Sequence, residues 1–131
     1  MRRLINTLCL LFLISSCSMD NKNNYLNEIR IEDTFSQNEK KYYVLFYLES
    51  CPSCRDTLKF FNCNYFKDTI YKVNMIYSRN YLSSTFSENK GIFNYLDIRI
   101  HQVPTMFLIA EGHVSLVFVG YENIRTNSWT S

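Results

Sequence analysis

Apolar and polar positions change their spacing along the chain, and each spacing predicts a different element. Tyr42 to Leu48 (Tyr-Tyr-Val-Leu-Phe-Tyr-Leu) is an unbroken run of aromatic, β-branched and aliphatic residues, the pattern of a central strand buried on both faces. The run ends at Glu49-Ser50-Cys51-Pro52-Ser53-Cys54, after which Leu58, Phe61 and Tyr65 recur at helical spacing on one face. Ile70 to Tyr77 predicts a second strand. Thr85 to about Asp97 predicts a helix with Phe86, Phe93 and Leu96 as its apolar contacts, weakened by Gly91. After Val103-Pro104, two apolar runs, Thr105 to Ala110 and Val114 to Val119, are separated by Glu111-Gly112-His113, a hairpin signal. Upstream, Ile29-Arg30-Ile31 alternates as a short strand would, and Asp33 to Lys41 reads as a polar connection holding a helical turn. Strand, helix, strand, helix and hairpin in that order predict an α/β fold with a central mixed β-sheet flanked by helices.

The N-terminus follows none of these periods. Arg2 and Arg3 precede an apolar stretch from Leu4 to Ile14, interrupted only by Asn6 and Thr7, which reads as a secretory signal and is too short to span a bilayer comfortably. It closes on Ile14-Ser15-Ser16-Cys17, which resembles the bacterial lipobox. That resemblance implies removal of residues 1–16 as a signal peptide, lipidation of Cys17, and a flexible tether over residues 17–28 ahead of a domain at 29–131. Ser18 to Asn27 fits a tether, with Asp20, Lys22 and four Asn among its ten residues, and extended it reaches about 35 Å. A diacylglycerol-modified cysteine brings two acyl chains, enough for stable anchoring. An ordinary signal cut nearby, or an uncleaved anchor, are the alternatives. All three place the domain outside the cytoplasm, and the lipobox reading makes it a bacterial membrane-anchored lipoprotein.

Size and charge narrow the partners. At 131 residues the chain has room for one compact domain plus an appendage. The net charge of +2 is carried by scattered cations, and loss of Arg2 and Arg3 with the signal would bring it to neutrality, so no nucleic-acid partner is expected. Only 3 Gly and 2 Pro stand beside 10 Phe and 10 Tyr, which excludes low-complexity disorder and calls for an aromatic-rich core.

The chemistry concentrates at Cys51-Pro52-Ser53-Cys54. A first cysteine at a helix N-terminus meets unpaired amides and the positive end of the helix dipole, which favour thiolate. Proline one residue later suits the first helical turn, where its missing N–H has no partner to lose. A cysteine one turn further in is shielded and within reach of a mixed disulfide on the first. Cys51 is thus the expected nucleophile and Cys54 the expected resolving thiol, the two catalytic residues.

With these residues in order, the chain resembles the thioredoxin family over nearly all of residues 29 to 120. Besides the CxxC, Gln102-Val103-Pro104-Thr105 before an apolar strand looks like the family's cis-proline loop, Glu111-Gly112 its hairpin turn, and Gly120 the glycine closing its last strand. The resemblance implies a thioredoxin-like fold in which Pro104 is cis and faces Cys51. Pro52, Val103 and Pro104 then form the substrate-binding surface, and the Val103 backbone pairs with an extended segment of substrate. The departures are Leu45, where the family carries a buried acid that helps the resolving cysteine lose its proton, and Ser50, where it carries Trp. The tail after Gly120 is eleven residues, shorter than the family's last helix, so the C-terminal helix is expected to be short and one sheet face thinly covered.

Two rival readings of the cysteine pair stand beside the redox one. Half of a zinc site would need further ligands from Cys63, His101 and His113, with no second CxxC or His pair at ligand spacing. A static structural disulfide is the other, since an extracytoplasmic compartment can be oxidising. Cys63, about 900° around an ideal helix from Cys54, falls on the opposite side and reads as a small buried apolar residue. His101 lies near the expected active-site loop, as a solvated residue or a neighbour of the cysteines. The leading expectation is a membrane-tethered extracytoplasmic thiol-disulfide oxidoreductase that acts on protein thiols and disulfides with no metal or organic cofactor. Its direction stays open, and a reducing role would call for a membrane electron donor. The alternative is a non-catalytic thioredoxin-like binding module with a structural disulfide.

Overall fold

The computed structural model describes residues 26–127. The expected signal peptide, the expected lipidation site Cys17 and most of the expected tether lie outside the described residues. The elements run β1 (Leu26–Glu28), β2 (Lys41–Tyr47), α1 (Pro52–Cys63), β3 (Ile70–Asn74), β4 (Thr105–Ala110), β5 (His113–Val119) and α2 (Tyr121–Asn127). They form one five-stranded mixed sheet in the order β1-β3-β2-β4-β5. β3 runs parallel to β1 and β2, whereas β4 is antiparallel to β2 and β5.

β2 sits at the centre because both of its faces are apolar. Tyr43, Leu45 and Tyr47 enter one buried cluster with Cys54, Phe61, Met106 and Ile124, while Tyr42, Val44 and Phe46 enter another with Ile31, Val73, Met75, Ile98, Ile100 and Phe107. α1 covers the first face through one stripe, Cys54, Thr57 and Phe61, at helical spacing. It stops before Asn64, whose backbone is extended, so Tyr65 falls past the helix and is exposed rather than on its apolar face. α2 is only 7 residues long, yet it seats Ile124 fully buried on this same face. The short tail does not leave that face bare. β4 and β5 are joined by Glu111 and Gly112 with φ of 54° and 81°, the left-handed pair that a two-residue hairpin requires and that glycine adopts without strain.

Three expectations are corrected. The first strand lies at Leu26–Glu28, before Ile29-Arg30-Ile31, so regular structure begins inside the stretch read as tether. The pairing explains the shift. Glu28 stands opposite Lys72 and Leu26 is buried, whereas Ile31 starts a 3-10 turn and buries into the other face. β3 ends at Asn74, whose side chain accepts from the Ile76 N–H and turns Met75–Tyr77 into a 3-10 turn.

The helix expected over Thr85 to Asp97 does not form; only Tyr95–Asp97 makes a 3-10 turn. Phe86 and Phe93 are each 73% exposed, so their spacing marks no buried stripe. Long-range bonds hold this stretch instead. Gly91, at φ 91°, donates to Val114 O, and Val114 N–H donates to Ile92 O. The Asn89 side chain donates to Arg99 O at 2.8 Å and accepts from Arg99 N–H at 3.0 Å.

Candidate active site

The site is built where β2 hands the chain to α1. Cys51 N–H donates to Leu48 O, and Cys51 O accepts from Arg55 N–H, so Cys51 is the last residue of the turn and the cap of the helix. Its Sγ accepts from the Cys54 N–H at 3.2 Å. An amide that the helix cannot pair is thereby aimed at the sulfur, and Pro52 fills the first helical position. Both cysteines are free thiols; Cys51 is half-buried and Cys54 is fully buried.

Across from them lies the loop before β4. The Val103–Pro104 peptide is cis, and the Cys51 thiol donates to Val103 O at 3.8 Å. Gly120 N–H donates to Pro104 O at 2.8 Å, and the Thr105 hydroxyl donates to Gln102 O. The loop is thus fixed from two sides. The structure brings Cys51, Cys54, Val103 and Pro104 to one end of the sheet, with Pro52 exposed at the helix start.

Burial pushes the Cys54 thiol up to about 12, with its contact to Cys51 adding to the rise and a backbone hydrogen bond at Leu48 opposing it. Leu45, in the position that resemblance reserves for an acid, is fully buried in the same cluster as Cys54. Among the described residues no Asp or Glu is buried, so no carboxylate stands ready inside the protein to take the Cys54 proton.

The remaining candidates lie elsewhere. His101 does not meet the cysteines; its Nδ1 is 3.2 Å from Ser83 O. His113 opens β5 at the hairpin, far along the strand from Val119. Cys63 ends α1 and is exposed rather than buried, because the helix terminates there and the apolar stripe has already turned away. One feature that sequence reasoning missed borders the site. The Tyr47 hydroxyl donates to Glu28 at 2.7 Å, and Lys72 Nζ lies 5.8 Å from the Tyr47 ring. The hydroxyl's proton is held more tightly than usual, first by burial and then by the Glu28 bond. Only the register of three strands unites these residues.

A mixed sheet in this order, a dithiol at the strand-to-helix turn, a cis-proline loop opposite it and a C-terminal hairpin define an α/β protein of thioredoxin-like fold. No protein-family model matches the chain, and no curated protein matches it. Among solved structures it is similar to a thioredoxin of Malassezia sympodialis, at 16% identity over 72% of this chain and 79% of that one with a TM-score of 0.48. Thioredoxin f from spinach chloroplast, in its short form, is similar at 17% identity over 75% and 83% of the two chains with a TM-score of 0.47. The thioredoxin of Schistosoma mansoni is similar at 20% identity over 73% and 83%, also with a TM-score of 0.47.

Proposed function

We propose that this protein is a thiol-disulfide oxidoreductase that acts on protein disulfides through Cys51 and Cys54. One observation carries the reading. A half-buried cysteine caps a helix and receives an amide N–H on its sulfur, while a second, fully buried cysteine lies one turn behind it. In the reducing direction, Cys51 as thiolate attacks a substrate disulfide, forming a Cys51–substrate bond and releasing one substrate thiolate. Cys54 then gives up its proton and attacks Cys51 Sγ. The second substrate thiolate leaves and two electrons have passed from the dithiol to the substrate. The oxidising direction is the reverse. The Val103 carbonyl and the exposed Pro52 border the reacting sulfur, and an extended substrate segment pairs with the Val103 backbone. The N-terminal pattern supports a bacterial, extracytoplasmic setting with the domain held at the membrane by lipid on Cys17, and a reducing role there draws on a membrane electron donor. Among the described residues no helix is long and apolar enough to cross a membrane.

Cys54→Ser removes the resolving thiol, so after export in cells it accumulates substrate proteins as mixed disulfides on Cys51, visible on non-reducing gels, whereas Cys51→Ser accumulates few. Equal recovery from both variants would favour the non-catalytic binding module. Labelling of the same cells with a fatty-acid analogue marks the wild type and not Cys17→Ala. An unlabelled wild type would remove the lipid anchor.

A further inference from the structure

The stretch that stands in place of the expected helix encloses, with β4 and β5, a cavity of about 270 Å³ bordered by Phe86, Ile100, Gln102, Thr105, Val117 and Val119. Gln102 and Thr105 flank Val103 and Pro104 in the chain, and Val103 O is 3.8 Å from the Cys51 sulfur. The cavity therefore adjoins the cis-proline loop that meets Cys51.

Most of the polar groups around the opening are engaged inside the protein, the side chains of Ser87 and Gln102 apart. Asn89 holds the Arg99 backbone at both its N–H and its carbonyl, and the Thr105 hydroxyl donates to Gln102 O. His101 lies against Ser83 O, and Glu88 accepts from the Lys90 N–H. What remains for a guest is mostly apolar. Ile100 is fully buried, Val117 and Val119 are half-buried, and Phe86 is 73% exposed. An exposed aromatic beside an apolar hollow leaves water when a guest covers it, which favours an apolar guest over a polar one. The volume lies below the roughly 300–1,000 Å³ of pockets that hold a whole small molecule, which points to a single side chain.

Resting on the oxidoreductase reading, we infer that this cavity is a specificity subsite that takes one bulky apolar side chain, aromatic or branched aliphatic, from the substrate segment that carries the reacting cysteine. A chain extended along the Val103 backbone advances about 3.3 Å per residue. The recognised side chain is thus within about three residues of that cysteine.

The test uses the reduced full chain and a set of synthetic peptides, each with one cysteine joined in a disulfide to thionitrobenzoate. One peptide has only Ser around the cysteine, and the others place a single Phe at each position up to three residues on either side. Attack by Cys51 forms the Cys51–peptide disulfide and releases coloured thionitrobenzoate. One Phe position accelerates release about tenfold over the all-Ser peptide, as expected for filling an apolar pocket. That ratio falls below about twofold in Phe86→Ser, an exposed position that leaves the core intact, and in Val117→Asn. Equal rates for all peptides with the wild type, or an unchanged ratio in both variants, would overturn the subsite. Later release of the peptide thiol needs Cys54 and reads the parent reaction separately. If it is absent while the Phe preference persists and the variants erase it, the subsite stands and the oxidoreductase reading falls.

Discussion

The two faces of the sheet are covered by different means. On one face, α1 presents a periodic stripe and α2 seats Ile124, and among the described residues the buried polar side chain of this face is Thr57, its hydroxyl donating to Ser53 O one turn back in the same helix. On the other, residues 75–104 cross the sheet with 3-10 turns as their only helical structure. This face collects most of the buried polar side chains. Thr34 caps Ile31 O and accepts the Tyr42 hydroxyl at its carbonyl, and Asn89 clamps Arg99. The contrast follows from backbone hydrogen bonding. A helix satisfies its own N–H and C=O groups and contributes apolar surface, whereas irregular chain needs side-chain partners before it can be buried. The dithiol grew on the self-sufficient face and the apolar cavity on the other.

Adjacent residues of β2 test this division with the largest effects. Leu45 and Val44 are both fully buried, Leu45 toward the cysteines and Val44 away from them. A carboxyl at either place costs about 2–4 kcal/mol of stability, measured by denaturant unfolding. Only Leu45→Asp gives Cys54 a proton acceptor. In the wild type, resolution rises about tenfold per pH unit as the small thiolate fraction of Cys54 grows, because burial holds that thiol up to about 12. In Leu45→Asp the slope flattens and turnover at neutral pH increases. In Val44→Asp stability falls and the slope stays. Stopped-flow kinetics across a pH series reads both, and equal profiles for the two variants would show that resolution does not limit the rate.

Deleting one polar clamp from each face gives the next effect. Asn89→Ala leaves the Arg99 N–H and carbonyl without their partner and costs about 2–3 kcal/mol. Thr57→Val removes a bond to a carbonyl inside a helix and costs about 1 kcal/mol or less. Thermal unfolding of both variants measures the difference, and equal losses would remove the distinction between the faces.

The smallest effect lies at alkaline pH. In the unfolded chain Cys54 ionises near about 8.5, whereas in the folded protein it keeps its proton up to about 12. Its contribution to stability is therefore complete below pH 8.5 or so and is lost as pH rises through that window. On the other face Tyr71 is raised from 10.0 to about 12, first by burial and then by its bond to Glu39, and Tyr42 is raised by burial above all. These, and Tyr47 on the helix face, act with the same sign but only from about pH 10. Stability measured from pH 8 to 10 thus reports the helix face, and Cys54→Ala flattens that part of the curve while leaving the steeper fall above it.

How much could be read in the residues divides along the same line. The run Tyr42 to Leu48, the cysteine turn with Pro52 at its first helical position, and the Glu111-Gly112 hairpin follow from short-range rules: continuous apolarity, a cap within three residues, two left-handed turn residues. They locate the dithiol and the sheet's centre without any knowledge of distant contacts. The stretch from Thr85 to Asp97 carried a helical spacing of Phe86, Phe93 and Leu96, but its Asn89 side chain paired with the Arg99 backbone and its Gly91 and Ile92 backbone groups with Val114, and no local period reveals such bonds. The site near β1 shows the same limit, since Glu28, Tyr47 and Lys72 meet only through the register of three strands. By itself, then, the sequence determined the central strand, the redox turn and the hairpin, because their causes lie within a few residues. Only the tertiary structure decided where the first strand pairs, that 3-10 turns and long-range clamps cover the second face, and that an apolar cavity opens beside the cis-proline loop, because each rests on hydrogen bonds and burial between segments far apart in the chain.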